Sequence, residues 1–90
     1  MRKSIDFYSI GDRLDLMRRL TNQSLKDVML FLDTSKFIYK KVRFGEKLIP
    51  FEWVMRFVER YGFSRDWIYT GDGEIFEPAQ KDFARGESFR

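Results

Sequence analysis

Apolar residues recur every three or four positions through residues 9–70, and short polar breaks divide that region into five segments. Such spacing is typical of amphipathic helices that bury one face. No segment shows the strict alternation of apolar and polar residues that indicates a half-buried strand. The pattern predicts an all-α fold of five short helices. The buried faces of the first two helices are expected to be Ile10, Leu14, Met17 and Leu20, then Leu25, Val28, Met29 and Leu32.

Serine residues mark the expected starts of the first three helices. Ser9 and Ser24 each stand three residues before an aspartate, which is an acidic form of the capping box. Ser35 is the expected N-cap of a third helix that runs to about Phe44. Gly45 fits the stop of that helix, because glycine adopts a positive φ without steric cost.

Pro50 suits the first position of a fourth helix, where its missing N–H is not needed. Gly62 ends this helix, Ser64 starts a brief fifth helix and Gly71 ends it. The expected apolar residues are Phe51, Val54, Phe57, Val58 and Tyr61 in the fourth helix, and Trp67 and Ile68 in the fifth.

The sequence divides the chain into three parts. Residues 1–8 are an N-terminal arm, residues 9–73 a helical domain, and residues 74–90 a more polar C-terminal extension. At most one short helix is expected in the extension, over residues 78–85. The chain has 90 residues, 43% of them hydrophobic, which is enough for one small domain with its own core.

The composition excludes several kinds of active site. The chain has no cysteine and no histidine, which removes disulfide frameworks, the common zinc sites and nucleophiles activated by histidine. Acid pairs such as Asp12 and Asp15 are spaced like ordinary helix surface charges. We expect a protein that is not an enzyme and that has no metal ion, no other cofactor and no small-molecule ligand.

Nothing in the sequence points to a membrane. The longest apolar run, residues 28–32, is far too short to span a bilayer. The N-terminal residues are charged where a signal peptide needs an apolar run. A cytoplasmic protein without a membrane partner is expected.

Positive charge is concentrated in the first half of the chain. Residues 1–50 hold eleven Lys and Arg against six Asp and Glu, a net +5, whereas residues 51–90 hold six against eight, a net −2. Five of the cations lie within residues 35–50, together with one acid, Glu46. This asymmetry favours a polyanionic partner for the first half.

The second and third helices are joined by three residues, 33–35. A joint this short between helices that each bury one face forces a steep crossing, as in a helix-turn-helix. At 100° per residue, Ile38 and Val42 point inwards. A major groove admits one α-helix between two rows of phosphates, so cations along the outer face suit it. The outward positions are Lys36, Phe37, Lys40 and Arg43.

Residues 9–74 resemble the lambda-repressor/Cro-like helix-turn-helix family, also called the XRE family. The spacing from Ser35 to Gly45 is similar to that family's recognition helix and the glycine after it. The segment FSRDWIYTGDGE, residues 63–74, closely resembles the end of the DNA-binding domain in phage-type repressors. The resemblance implies the five-helix lambda-repressor-like fold and double-stranded DNA as the partner.

The sequence departs from the family pattern at several positions. Asp33 stands where the family favours glycine, and aspartate tolerates the left-handed conformation better than most residues. Tyr39 stands at an inward position usually filled by valine or isoleucine, so its hydroxyl is expected to find a hydrogen-bond partner or to reach solvent. Leu25 replaces a glutamine that often touches phosphate.

The resemblance implies base contacts at the start and middle of the third helix and backbone contacts after it. Lysine can donate to guanine O6 and N7, and an apolar ring can pack on a thymine methyl. The start of the second helix is a further phosphate site, because a helix N-terminus favours anions. The alternative is a solvated cationic helix with Phe37 packed against a neighbour. The expected base-contacting residues are Lys36, Phe37, Lys40 and Lys41, and the expected backbone-contacting residues are Ser24, Lys26, Arg43 and Lys47.

A homodimer is expected, because regulators of the resembled class usually bind two half-sites as dimers. Trp53 lies off the predicted buried stripe of the fourth helix and is expected to be partly exposed. With three phenylalanines downstream, it offers apolar surface to a second copy of the chain. The alternative is that the C-terminal extension folds back over its own domain. The expected dimer interface is Trp53, Phe76, Phe83 and Phe89.

Two functions are open at this point. The first is a sequence-specific transcriptional regulator, expected to be a repressor from a phage, plasmid or other mobile element, bound to an inverted-repeat operator. The second is a helical protein-interaction module, an antitoxin or an antirepressor, that keeps the fold and uses its aromatic surface on a protein. The many phenylalanines favour the second function, whereas the absence of acids from residues 34–45 favours the first.

Overall fold

The computed structural model describes residues 9–77, and these residues contain five α-helices. This confirms the all-α, five-helix prediction. The N-terminal arm (residues 1–8) and the helix expected over 78–85 lie outside the described residues. The helices are α1 (Ile10–Leu20), α2 (Leu25–Leu32), α3 (Lys36–Arg43), α4 (Phe51–Tyr61) and α5 (Arg65–Thr70).

Serine side chains cap the starts of four helices. The hydroxyl of each accepts a hydrogen bond from the backbone N–H three residues later, which satisfies one of the free donors of the first turn. At Ser24 the bond is reciprocal, because the Asp27 carboxylate accepts from the Ser24 N–H. These hydrogen bonds hold the pKa of the Asp27 carboxyl below its ordinary value. The four capping residues are Ser9, Ser24, Ser35 and Ser64.

One hydrophobic core joins all five helices. Its centre is aromatic: the Phe57 ring meets the Phe31 and Phe63 rings edge to face, at centroid distances of 5.1 and 5.8 Å. The buried apolar residues are Leu14, Met17, Val28, Leu32, Tyr39, Val42, Ile49, Trp53, Val54, Phe57, Phe63, Trp67 and Ile68.

Three expectations about the core are wrong. Trp53 is buried, with 5% of its surface exposed, because its indole stacks on the Tyr39 ring at 6.1 Å. Leu20 and Phe51 were expected on buried faces and are about half exposed. Both are terminal residues, Leu20 at the end of α1 and Phe51 at the start of α4.

The start of α1 packs directly on the end of α3. A methyl group added at Gly11 would lie 2.7 Å from the carbonyl carbon of Arg43, well inside van der Waals contact. Only a residue without a side chain fits this approach of one backbone to another. Gly11 therefore sets the position of α3 relative to α1.

Arg13 fastens α1 to the end of α5. Its buried guanidinium donates from Nε to the Ile68 carbonyl at 2.8 Å and from the second terminal nitrogen to the Tyr69 carbonyl at 3.2 Å. These carbonyls lie in the last turn of α5, where a cation also meets the negative end of the helix dipole. Burial lowers the pKa of Arg13, and the charges of Asp12 and Asp72 oppose that shift.

The first residues of the C-terminal extension return to the domain. The Ser64 N–H donates to the Ile75 carbonyl at 2.7 Å, and the Glu77 N–H donates to the Gly62 carbonyl at 2.8 Å. An isolated antiparallel bridge pairs Phe63 with Phe76 between them. Residues 75–77 are thus part of the folded unit, which extends past the expected boundary at residue 73.

The Tyr39 side chain is buried, and its hydroxyl has no hydrogen-bond partner among the described residues. The expected route to solvent is absent, and the Arg18 side chain approaches the hydroxyl without completing a hydrogen bond. Burial raises the pKa of this hydroxyl above its ordinary value of 10.0, and the charge of Asp15 adds to the rise. Arg18, through its charge and its approach to the hydroxyl, and the charge of Arg43 lower this pKa and so oppose the rise.

We expect Tyr39→Phe to raise the free energy of unfolding by about 1 kcal/mol at neutral pH, because it removes a buried hydroxyl that gains no hydrogen bond on folding. The variant also tests the pKa. A tyrosine whose pKa is raised by folding stays neutral while the unfolded chain ionises, so its stability contribution is lost as pH rises above about 10.

Urea denaturation at neutral pH and at about pH 11 measures both effects. The wild type is expected to lose more stability over that interval than the Tyr39→Phe variant. Equal losses, or a variant less stable than the wild type at neutral pH, would show that the hydroxyl is satisfied in the folded protein.

Candidate nucleic-acid interface

α2 and α3 are joined by the three residues 33–35, as the sequence predicts. Asp33 has the left-handed conformation, with φ 55° and ψ 54°. The Thr34 N–H donates to the Met29 carbonyl at 2.9 Å, which closes the end of α2. Ser35 then caps α3, so Thr34 alone separates the C-cap of α2 from the N-cap of α3. This tight joint fixes the direction of α3 relative to α2.

The inner side of α3 belongs to the core. Tyr39 and Val42 are buried, and Ile38 is half-buried against the core. Burial of these residues orients the helix about its own axis, because their side chains occupy one continuous sector at 100° per residue. The opposite sector is left to solvent.

The four residues predicted to contact bases share that outer sector. Lys36, Phe37 and Lys40 are exposed, with 67% of Phe37 accessible, and Lys41 is half-exposed. The Lys41 ammonium lies 4.9 Å from the centroid of the Phe37 ring and 3.3 Å from a carboxylate oxygen of Glu46. The cationic outer face of α3 is therefore present, and Phe37 is not packed in the core.

Arg43 does not point outwards with these lysines, and that part of the expectation is wrong. Its guanidinium turns back to α1, 2.9 Å from an Asp12 carboxylate oxygen and 3.8 Å from an Asp15 oxygen. Asp15 also binds Arg18 at 3.1 Å and Arg19 at 2.9 Å. The acids of α1 thus hold Arg43 in place, and a backbone contact by this residue stays a prediction.

The other predicted backbone contacts are at the surface. Ser24 and Lys26 are exposed at the start of α2, and Lys47 is exposed between α3 and α4. The Ser24 hydroxyl already serves as an acceptor for the Asp27 N–H. The Asp27 carboxylate beside it repels an anion, so the start of α2 is a weaker phosphate site than the sequence suggests.

Of the four predicted dimer residues, two lie within residues 9–77. Trp53 is in the core. Phe76 is half exposed, and its ring stacks on Phe63 at a centroid distance of 4.7 Å, as the alternative of a folded-back extension predicts for this part of the chain. Phe83 and Phe89 lie outside the described residues.

The sequence reasoning missed three exposed apolar side chains near the end of α3. Phe44 is 64% exposed, Leu48 is 88% exposed and Phe51 is 56% exposed. The available signal was that Phe44 and Leu48 fit no predicted helix face. Ile49, which stands among them, is buried and anchors the connection between α3 and α4.

A surface pocket of about 510 Å³ lies beside α1 and α5. Its walls include the paired charges of Asp12, Asp15, Arg19 and Arg43 together with Trp67. Within residues 9–77, no group of acidic side chains is arranged to hold a metal ion. None of the described helices is long and apolar enough to cross a bilayer.

Comparison with family models, with curated proteins and with solved structures finds no match to this chain. The resemblance of residues 9–74 to the lambda-repressor/Cro-like family therefore stays a prediction from the motifs quoted above.

Proposed function

We propose that this protein binds double-stranded DNA by inserting α3 into the major groove, and that it regulates transcription in the cytoplasm by doing so. The observation that supports the proposal most is the outer face of α3, where three lysines surround an exposed phenylalanine and residues 34–45 contain no acid. A groove with phosphates on both sides and base edges on its floor matches that combination.

The proposal gives the outer residues distinct roles. Lys36 and Lys40 are free of ion pairs within residues 9–77, so their ammonium groups are available to phosphates and to guanine edges. Phe37 lies between them and packs on thymine methyl groups. Lys41, paired with Glu46, exchanges that exposed carboxylate for a phosphate at little cost, because surface ion pairs are weak.

Repression by a homodimer on an inverted repeat completes the proposal. One small module covers few base pairs, whereas two copies read two half-sites and multiply their specificity. A repressor of a phage, plasmid or other mobile element is the kind of regulator that the quoted motifs suggest.

Backbone amide NMR with a duplex of mixed sequence tests which surface meets DNA. We expect the largest shift changes at α3 and the residues just after it, and small changes along the exposed sides of α4 and α5. Changes spread evenly over all exposed cations would mean that only the net positive charge of the chain binds DNA.

A protein-interaction module remains the second candidate, because Phe37 in the first turn of α3 and Phe44 at its C-cap, seven residues apart, are both exposed. Anchors at this spacing are typical of a helix that docks in an apolar groove. The NMR titration separates the two functions, since a module of this kind predicts no α3 shifts with any duplex.

A further inference from the structure

The surface pocket beside α1 and α5 has no part in the proposed DNA contact. None of the outward residues Lys36, Phe37 and Lys40 lines it. Its volume of about 510 Å³ is typical of sites that bind small molecules. One face of α1, the end of α3, α5 with its C-cap and the returning residue Ile75 meet around it. No sequence pattern predicts such a site, and no small-molecule ligand was expected, because these stretches come together only in the folded chain.

The apolar part of the pocket wall is held in place by the core. Trp67 is 7% exposed, and its indole stacks on the Phe63 ring at a centroid distance of 6.4 Å. Ile75 packs against the core, and Leu16 on α1 keeps 37% of its surface exposed. An apolar ligand that covers these side chains removes their surface from water, which is favourable. Because the wall is already formed, little ordering is needed on binding.

Positive charge exceeds negative charge around the pocket. Its lining contains three guanidinium groups and two carboxylates, a net +1. The carboxylates are shared, since Asp15 lies 2.9 Å from Arg19 and 3.8 Å from Arg43, and Asp12 lies 2.9 Å from Arg43. The third guanidinium, that of Arg13, donates to uncharged carbonyl groups of α5. One further negative charge is therefore favourable in this site.

Arg19 is the best-placed partner for that charge. Its side chain is 67% exposed, and one terminal nitrogen contacts Asp15. A guanidinium carries five N–H donors, so donors remain for a second carboxylate. A group with two negative charges would be repelled more strongly by Asp12 and Asp15, so the lining favours a monoanion.

We propose that this pocket binds a small molecule that has an apolar body and a single carboxylate. The apolar body covers Leu16, Trp67 and Ile75, and the carboxylate binds the guanidinium of Arg19. Guanidinium and carboxylate pair well because their hydrogen-bonding groups match in spacing.

NMR of the full chain with sodium 2-naphthoate, a bicyclic aromatic carboxylate, tests the proposal. The two tryptophans provide an internal comparison, because Trp67 lines the pocket whereas Trp53 stacks on Tyr39 in the core. We expect the indole N–H signal of Trp67 to shift until it saturates, and that of Trp53 to stay in place. The expected dissociation constant is about a millimolar or lower, as small ligands of this size allow.

An uncharged probe and two variants test the role of the carboxylate. 2-Naphthamide has nearly the same shape without the charge and is expected to bind at least about threefold more weakly. Arg19→Gln is expected to weaken 2-naphthoate about fivefold and 2-naphthamide less than about twofold, because only the charged contact is lost. The matched control, Arg60→Gln, removes an exposed cation of α4 and is expected to leave both affinities unchanged.

Three results would overturn the proposal. The first is an indole N–H signal of Trp67 that does not shift, or shifts no more than that of Trp53, at about ten millimolar 2-naphthoate. The second is 2-naphthamide binding as tightly as 2-naphthoate. The third is equal weakening by Arg19→Gln and Arg60→Gln, which would mean that the net charge of the chain attracts the probe. Because no DNA is present, these results are independent of the proposed DNA binding.

Discussion

Gly11→Ala is expected to destabilise the protein by about 3 kcal/mol, the upper end of what overpacking a tight contact usually costs. Alanine is the better helix former by about 1 kcal/mol, so helix propensity alone predicts the opposite sign. The packing effect is expected to exceed the helix-propensity effect, because the new methyl group would meet the carbonyl group of Arg43. Backbone atoms cannot move aside as a flexible side chain can.

Urea denaturation followed by circular dichroism measures this loss. Gly73→Ala is the matched control, because Gly73 has a φ of 83° and open space around the position of a methyl group. It is expected to lose only about 1 kcal/mol, from the left-handed conformation. A Gly11→Ala variant as stable as the wild type would show that α1 and α3 are not in backbone contact.

Lys36→Ala combined with Lys40→Ala is expected to lower the affinity for the preferred duplex about 100-fold, from about 1.4 kcal/mol for each lysine that donates to a base or phosphate. The melting temperature is expected to stay unchanged, because both side chains are exposed and neither forms an ion pair within residues 9–77. Fluorescence anisotropy gives the affinity, and a thermal melt checks the fold.

The control removes the same charge elsewhere. Arg60→Ala combined with Arg65→Ala takes two exposed cations from α4 and α5 and is expected to change affinity several-fold at most. If both double variants lose affinity equally, the protein binds DNA through its net charge and α3 has no special role.

The helices were predictable because their signals are local. The hydroxyl of a serine at an N-cap accepts from the N–H three residues later, within the same short stretch of chain, so Ser24 and Ser35 indicated their helix starts correctly. Asp33 could be predicted in the turn for the same reason, since its left-handed conformation is a property of one residue.

Contacts between helices were not predictable in this way. Trp53 was expected partly exposed because its position along α4 fits the apolar stripe poorly, but the adjacent Tyr39 ring covers it. Nothing in the sequence distinguishes Gly11 from the other glycines. Its lack of a side chain is required because α1 packs on the end of α3 at this position. Arg13 likewise has no sequence signal, since its partners lie 55 and 56 residues away.

In the candidate interface, too, features set by local periodicity were predictable and features set by contacts between helices were not. The outer sector of α3 follows from helical periodicity, so Lys36, Phe37 and Lys40 were placed correctly at the surface. At 100° per residue, Arg43 falls next to these residues on the helix, but two carboxylates of α1 attract its long side chain. The exposure of Phe44, Leu48 and Phe51 depends on how α3 and α4 are joined, which no local pattern specifies.

Selection from random duplexes, followed by anisotropy titrations of the enriched sequence and a scrambled control over a range of salt concentrations, tests the proposed function most directly. We expect an inverted repeat whose half-sites lie about one helical turn apart, with affinity falling by a slope of about −0.9 for each phosphate neutralised. A pool in which no sequence is enriched, with equal and weak binding to both duplexes, would contradict sequence-specific recognition by α3.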